Sequence, residues 1–490
     1  VLNVIFAALT AALLALSFPK WDIAFLATAA LGPLLLACAR EKRPLRRASL
    51  GYLAGILYWW GVCYWIQGVL QNHGGIAAWL AWFLFALFCL AKALHMAAFA
   101  WLAGPLLRLS WAVLAVPALW VALEFTHGFL GFAWLTLGNA GSQMSVPMRL
   151  APVTGVYGIS FAFTMLATAL ALAALGRPRV QLLWIAVLPA VVLLPPLPPG
   201  KSGRHAAILV QPDINESAQW TREFVGEMQD KLVGASLRGA VTWSDAEILV
   251  WPEIPGPFYY PEDARFRDDV TNLARIARMH VLLGVVAHTQ DGAPLNSALL
   301  VAPSGEPVAR YDKIKLVPFG EFVPWPFNSI VTNISSEAGD FRAGERVVAP
   351  AVGDHRIGTF ICYESVFPHL VRRFPQQGAE ALFNLSNDGW FGKTAAREQH
   401  LKIVRMRAAE NRRWILRATN DGITAVIDPA GRIFHTVPQY VQTVSKAHFD
   451  YVREMTFYTR YGDWFAALCA LAAGTGLAVS RGGLLRRRHP

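Results

Sequence analysis

Apolar positions fall into two regimes along this chain. Near-continuous apolar runs long enough to cross a bilayer occur at 1–18, 21–39, 48–71, 76–105, 110–126, 157–176, 180–197 and 463–480. Seven precede a long polar stretch and one follows it. The first two are separated only by Pro19-Lys20 and read as a helical hairpin. No basic n-region precedes the first run, so 1–18 reads as a span rather than a cleaved signal. The pattern predicts a polytopic α-helical membrane protein of about eight spans, with membrane segments at 1–198 and 462–490 and one large insert at 199–461.

Inside the insert the period changes. Pro195-Pro196-Leu197-Pro198-Pro199-Gly200 forms a stiff linker. Beyond it, short β-rich runs at 206–211, 247–251, 281–287, 297–302, 356–362, 381–386 and 415–420 alternate with helical patterns at 220–237, 267–279, 366–374 and 393–412. This alternation predicts a layered α/β domain. No internal repeat or low-complexity tract stands out.

Composition sharpens the picture. Of 490 residues, 54% are hydrophobic and only 16% charged, against roughly 25% charged in a soluble globular protein. The net charge of +11 comes partly from clusters beside apolar runs: Arg40-Glu41-Lys42-Arg43-Pro44-Leu45-Arg46-Arg47, Arg177-Pro178-Arg179, and Arg481 with Arg486-Arg487-Arg488. Such clusters signal orientation, not a nucleic-acid footprint. With eight spans, all three fall on one side. That side is expected to be cytoplasmic and to hold both termini, leaving the insert outside. Lys92, His95 and Glu124 lie within spans, where ionisable residues are functional candidates by default. A transporter would need such charges paired or helices broken at matching positions, and no such pairing appears. The Gly-rich apolar loop around Gly128-Phe129-Leu130-Gly131-Phe132-Ala133-Trp134 is expected in the outer interface.

The candidate chemistry starts at Cys362. An apolar strand, 356–362, ends in Cys362-Tyr363-Glu364 and a helical segment follows at once, which points the thiol at a cleft. Cys38, Cys63, Cys89 and Cys469 lie in apolar runs, so Cys362 has no disulfide partner in its own domain. A buried core cysteine is the competing reading. A thiol attacking a carbonyl needs a base, a cation or donors for the oxyanion, and a water-poor pocket. Ile248-Leu249-Val250-Trp251-Pro252-Glu253 delivers a carboxylate at a strand mouth, placed to serve as base. Arg310-Tyr311-Asp312-Lys313-Ile314-Lys315-Leu316-Val317-Pro318-Phe319-Gly320-Glu321 gathers Lys and Glu around an apolar centre. In isolation Glu253 reads equally as a solvated loop residue, and the Lys-x-Lys more often as a solvated edge. Gly389-Trp390-Phe391-Gly392-Lys393-Thr394 superficially resembles a phosphate loop, but the earlier Gly would have to stand where Asn387 does. Nucleotide binding is rejected, and a loop shaping the pocket floor is expected instead. No Cys/His set has metal-ligand spacing, and no cofactor is expected.

Glu253 after Trp-Pro, Lys313 in Tyr-Asp-Lys-x-x-Leu-Val-Pro-Phe-Gly-Glu, and Cys362 in Cys-Tyr-Glu stand in the order of the Glu-Lys-Cys triad of the nitrilase superfamily, which this region, about 205–450, resembles. Eight spans around such a domain resemble, more specifically, the bacterial apolipoprotein N-acyltransferase family. The resemblance implies an αββα sandwich and transfer of an acyl chain from a phospholipid, typically phosphatidylethanolamine, to the α-amino group of a diacylglyceryl-cysteine. It assigns Cys362 as nucleophile, Glu253 as base, Lys313 as oxyanion partner and Glu321 as a supporting glutamate. Asn296, Tyr363 and Glu364 resemble pocket residues; Trp220 and Phe258-Tyr259-Tyr260 resemble mobile arms. Phe322-Val323-Pro324-Trp325-Pro326-Phe327 would line a lipid entrance, with ordinary core packing as the alternative. The implied setting is the inner membrane with the domain on the periplasmic side, and the implied partners are the bilayer, a phospholipid and an apolipoprotein; a monomer is expected. The nearest rival is a membrane-tethered amidase acting on a soluble amide.

Overall fold

Alternation along the first strand of the insert sets the layering: Ala207 and Leu209 join one buried cluster and Ala206, Ile208 and Val210 another. A strand sends successive side chains to opposite faces, so this sheet is covered on both sides. The computed structural model describes residues 1–129, 132–176, 178–215, 220–322 and 341–486. Leu130, Gly131, Arg177, 323–327 and Arg487-Arg488, all named above, lie outside the described residues.

The chain divides into two compact units, one comprising 1–68, 77–197 and 461–490, the other 69–76 and 198–460. In the second unit, strands β1 (His205–Gln211), β2 (Ile248–Val250), β3 (His280–His288), β4 (Pro294–Val301) and β5 (Pro307–Asp312) precede β6 (Ala351–Val352), β7 (His355–Ile361), β8 (Ala381–Ser386), β9 (Ile415–Thr419), β10 (Ala425–Ile427), β11 (Ile433–Thr436) and β12 (Thr443–Phe449). They form two six-stranded sheets, ordered β12-β1-β2-β3-β4-β5 and β11-β10-β9-β8-β7-β6. Each has three parallel strands, β1-β2-β3 or β7-β8-β9, with one antiparallel strand beyond the first and two beyond the third. The two sheets therefore share one topology, a repeat that the sequence does not display.

Ala207, Leu209, Ile248 and Leu300 of the first sheet and Ile357, Phe360, Leu382 and Leu416 of the second belong to one buried cluster, so the sheets pack face to face. Helices Arg222–Thr242 and Ala264–Ala277 cover the other side of the first sheet through Leu232, Ala240, Phe266, Val270 and Leu273. Helix Ala396–Asn411 brings Leu401, Val404 and Ala408 to the second. This is the expected αββα sandwich.

In the first unit, Ala78–Leu106, Val156–Ala174 and Trp464–Arg481 are long and apolar enough to cross a membrane, and Pro44–Cys63 with Trp65–Asn72 form a pair bent by 55°. The other four expected spans are shorter apolar helices among the described residues. The reasons are local. At 21–39, a 3₁₀ turn over Ala24–Thr28 gives way to a new helix that starts at Gly32-Pro33. At 180–197, Leu183–Leu193 winds as a 3₁₀ helix containing Pro189, which lacks an N–H for the α ladder. Gly51 and Gly55 let helix Pro44–Cys63 lie almost backbone to backbone on Ala78–Leu106; a Cβ at Gly51 would sit 2.3 Å from the Met96 carbonyl oxygen.

Candidate active site

Three strand ends converge in the second unit. Strand β2 runs through Trp251-Pro252 to Glu253, and β5 runs directly into Lys313. Because β5 is antiparallel to β4, its end lies beside the start of β4, where Asn296 sits: Ser297 pairs with Asp312, and the Lys313 N–H donates to the Asn296 carbonyl at 2.8 Å. Gly284 on β3 allows the Glu253 turn to close in, since a Cβ there would fall 2.7 Å from the Glu253 Cα.

One ammonium is shared by two carboxylates. Lys313 Nζ lies 2.9 Å from Glu253 Oε1 and 2.8 Å from Glu321 Oε1. Asn296 Nδ2 donates to the same two oxygens, at 2.8 and 2.7 Å. The outer oxygens are held by backbone: the Asn387 N–H donates to Glu253 Oε2 at 2.8 Å and the Val317 N–H to Glu321 Oε2 at 2.7 Å. Lys313 is 1% exposed. Burial works against its charge, but Glu253, Glu321 and the Cys362 site outweigh it and raise its pKa well above the usual lysine range. It stays a cation.

Cys362 follows β7 and opens a 3₁₀ turn over Cys362–Val366. Its φ of +46° is a left-handed conformation that costs a non-glycine residue of order 1 kcal/mol or more. Glu364 holds the turn. Its Oε2 accepts from the Ile361 N–H at 2.8 Å, and its Oε1 accepts from Tyr311 Oη and the Ile314 N–H, both at 2.7 Å. One carboxylate thus ties the nucleophile turn to the segment bearing Lys313, and burial pushes its pKa up to about 7 against those donors. Burial first, then Glu253, push the Cys362 thiol well above its ordinary range, with Lys313 opposing. Lys313 pulls the thiol pKa down, but desolvation wins.

The remaining sequence candidates divide. The loop after β8 does floor the site, through the Asn387 N–H on Glu253. Tyr363 is buried with its ring edge-on to Phe367. Lys315 turns away, its ammonium 5.4 Å over the Phe367 ring. Trp220 is 38% exposed and meets Phe224, outside the cluster's hydrogen bonds among the described residues. Phe258 and Tyr260 are core rather than arm, packed against Phe266 of the covering helix; Tyr259 is exposed over His288. In the first unit, Lys92 donates to the Phe132 carbonyl at 2.9 Å and contacts His127. Glu124 accepts from the Leu137 N–H at 2.6 Å, and His95 meets Thr126 at 2.9 Å. These groups bind the irregular stretch after helix Ala112–Phe125.

Sequence reasoning missed a buried network behind Cys362. Arg417 Nη2 grips Asp388 at 2.7 and 2.6 Å, and His400 bridges Asp388 to the carbonyl of Cys362. The available signal was Arg417 itself, a charge in the middle of an apolar strand.

Two family profiles match. The one described as Carbon-nitrogen hydrolase covers residues 197–456, and the one described as Apolipoprotein N-acyltransferase N-terminal domain covers 10–169. A relative in Geobacter metallireducens named apolipoprotein N-acyltransferase is 34% identical over 97% of this chain and 94% of its own length. The chain belongs to the apolipoprotein N-acyltransferase family. A Chlorobaculum tepidum relative of the same name is 31% identical over 95% of this chain and 94% of its own. An amidase from Nesterenkonia sp. superposes on 55% of this chain and 97% of that one, at 16% identity and a TM-score of 0.39. For this family member, the polar cluster at the strand ends is where acyl chemistry is to be sought.

Proposed function

We propose that this chain is an N-acyltransferase. It moves an acyl chain from a phospholipid, through a thioester on Cys362, to the α-amino group of an apolipoprotein's N-terminal diacylglyceryl-cysteine. The observation that carries the site assignment is Lys313, shared by Glu253 and Glu321 and acting electrostatically on a cysteine held at positive φ. Phosphatidylethanolamine is the proposed donor, and a monomer in the inner membrane the proposed setting. The proposed layout is eight spans, a catalytic domain over 199–461 on the periplasmic side, and cytoplasmic termini.

The geometry supports the following chemistry. Glu253 takes the thiol proton as Cys362 Sγ attacks the ester carbonyl. An ammonium has three donors; two are engaged by Glu253 and Glu321, and the third serves the oxyanion together with the Tyr363 N–H. The tetrahedral species collapses, lysophospholipid leaves with the proton from Glu253, and the acyl thioester remains. The acceptor amine then attacks, Glu253 takes its proton, and Cys362 departs as thiolate and is reprotonated. A high resting thiol pKa makes the base necessary, because little thiolate exists beforehand.

The test is intact mass after incubation with phosphatidylethanolamine alone. Wild type gains one acyl group and Cys362→Ala gains none. An unmodified wild type, or an acylated Cys362→Ala, would falsify the assignment.

A further inference from the structure

We infer that His400 is a positioning residue for acyl transfer: its ring orients the Cys362–Tyr363 peptide so that the Tyr363 N–H faces the oxyanion. This rests on the reading of Cys362 as the acylated nucleophile.

The proton's place on the ring follows from the partners. His400 Nε2 lies 3.1 Å from the Cys362 carbonyl oxygen and 2.9 Å from Ser365 Oγ. A carbonyl has no hydrogen to give, so Nε2 carries one and donates it. Nδ1 faces Asp388 Oδ1 and Arg417 Nη2, each at 3.1 Å. Arg417 holds the Asp388 charge at 2.6 Å and supplies the N–H that Nδ1 accepts. Burial and Arg417 push the ring's pKa below the usual range against Asp388, which raises it; Nε2 keeps its hydrogen in either protonation state. All three side chains are fully buried. His400 is a fixed donor here, with no proton to shuttle.

In a trans peptide the C=O and the following N–H point in opposite directions. A hydrogen bond drawing the Cys362 carbonyl toward His400 therefore sends the Tyr363 N–H away from it. It also pins the carbonyl of a residue at φ +46°, a conformation with little intrinsic preference.

Two reactions of the same sulfur separate this role from general support of the fold. Acylation by a phospholipid ester passes through an oxyanion; alkylation by iodoacetamide, a displacement at a saturated carbon, does not. His400→Phe keeps the ring and removes the donor. Its Cys362 acylation rate should fall about 10²-fold, the scale of one lost oxyanion donor, with alkylation within about twofold of wild type. His400→Gln places an amide N–H near Nε2 and should restore most of the acylation. His400→Asn reaches only the Nδ1 position and should behave like His400→Phe; this pair decides the matter if the Phe variant does not fold. Acylation and alkylation falling together, or Gln and Asn acylating alike, would overturn the inference. A wild type that alkylates but never acylates instead overturns the functional reading, and this inference with it.

Discussion

Burial and not the neighbouring cation sets the resting state of Cys362. Its pKa is raised above the ordinary thiol range, so the thiolate fraction is small at neutral pH and grows with every added pH unit. Alkylation by iodoacetamide should therefore climb about tenfold per unit between pH 7 and 9, since only the thiolate is the nucleophile. Rates read by mass spectrometry across that range decide this; a plateau below pH 8 would mean a preformed thiolate and remove the need for Glu253 as base. Lys313 stays charged throughout, its pKa being raised, so it adds nothing to the slope, and Glu364, at about 7, bears only on the lower end of the range. Replacing the cation isolates its contribution. Lys313→Met should slow acyl-adduct formation about 10²–10³-fold, and Glu253→Gln should act likewise unless Glu321, which touches the same ammonium, takes over as base. Adduct at the wild-type rate in Lys313→Met would exclude Lys313 from the oxyanion site. Lys315, turned toward Phe367, is then the cation to replace next.

At the level of elements, what was legible in the sequence follows burial and length; β10, fully buried but three residues long, was not expected. Strands β1, β3, β7, β8 and β9 announce themselves as apolar runs because both faces of each are covered. Strands β5 and β11 do not, because few of their positions are buried and their sequences, Pro-Val-Ala-Arg-Tyr-Asp and Ile-Phe-His-Thr, read as loop. Strand β6 is two residues long, too short for any period. Glu253, Glu321 and Cys362 were legible because each follows an apolar stretch with a recognisable motif, and Lys313 because its motif runs into one. Asp388 and His400 were not, because polar residues in a turn and a helix look like surface until the fold buries them; only Arg417, a charge inside an apolar strand, carried a signal. That burial has an energetic consequence. Arg417 and Asp388 are both fully buried and hydrogen-bonded to each other. Removing one partner of such a pair leaves an uncompensated charge and costs about 3–5 kcal/mol. Arg417→Met should thus lower the thermal midpoint of the detergent-solubilised chain by several degrees, whereas exposed Arg342→Met, whose partner Asp291 is also exposed, should change it little. Equal midpoints for the two variants would show that the network carries no stability.

For the whole molecule, the outward faces of the first unit define its solvent. Trp79, Phe83, Leu87, Leu94 and Trp101 of helix Ala78–Leu106 are all exposed, Trp79 to 72% and Leu94 to 61%. A stripe of that size in water marks an interaction surface; on an apolar helix long enough to span, it suits lipid tails. Orientation then depends on where the cations lie, because positively charged short loops are retained in the cytoplasm. Arg40, Lys42, Arg43 and Arg46 are exposed between the second and third apolar segments, whereas Arg47 is buried against Gly104. Counting eight crossings, that loop, the one after 157–176 and the C-terminal tail share a side. A reporter fused near Lys201 should therefore read periplasmic and one fused after Arg488 cytoplasmic. The short and broken segments at 21–39 and 180–197 make this a real test. If either fails to cross, the count of crossings before Lys201 drops to an even number, and the Lys201 fusion reports the cytoplasm. Both fusions on one side would remove the eight-span arrangement. If that side is the cytoplasm, the periplasmic reading of the catalytic domain falls with it.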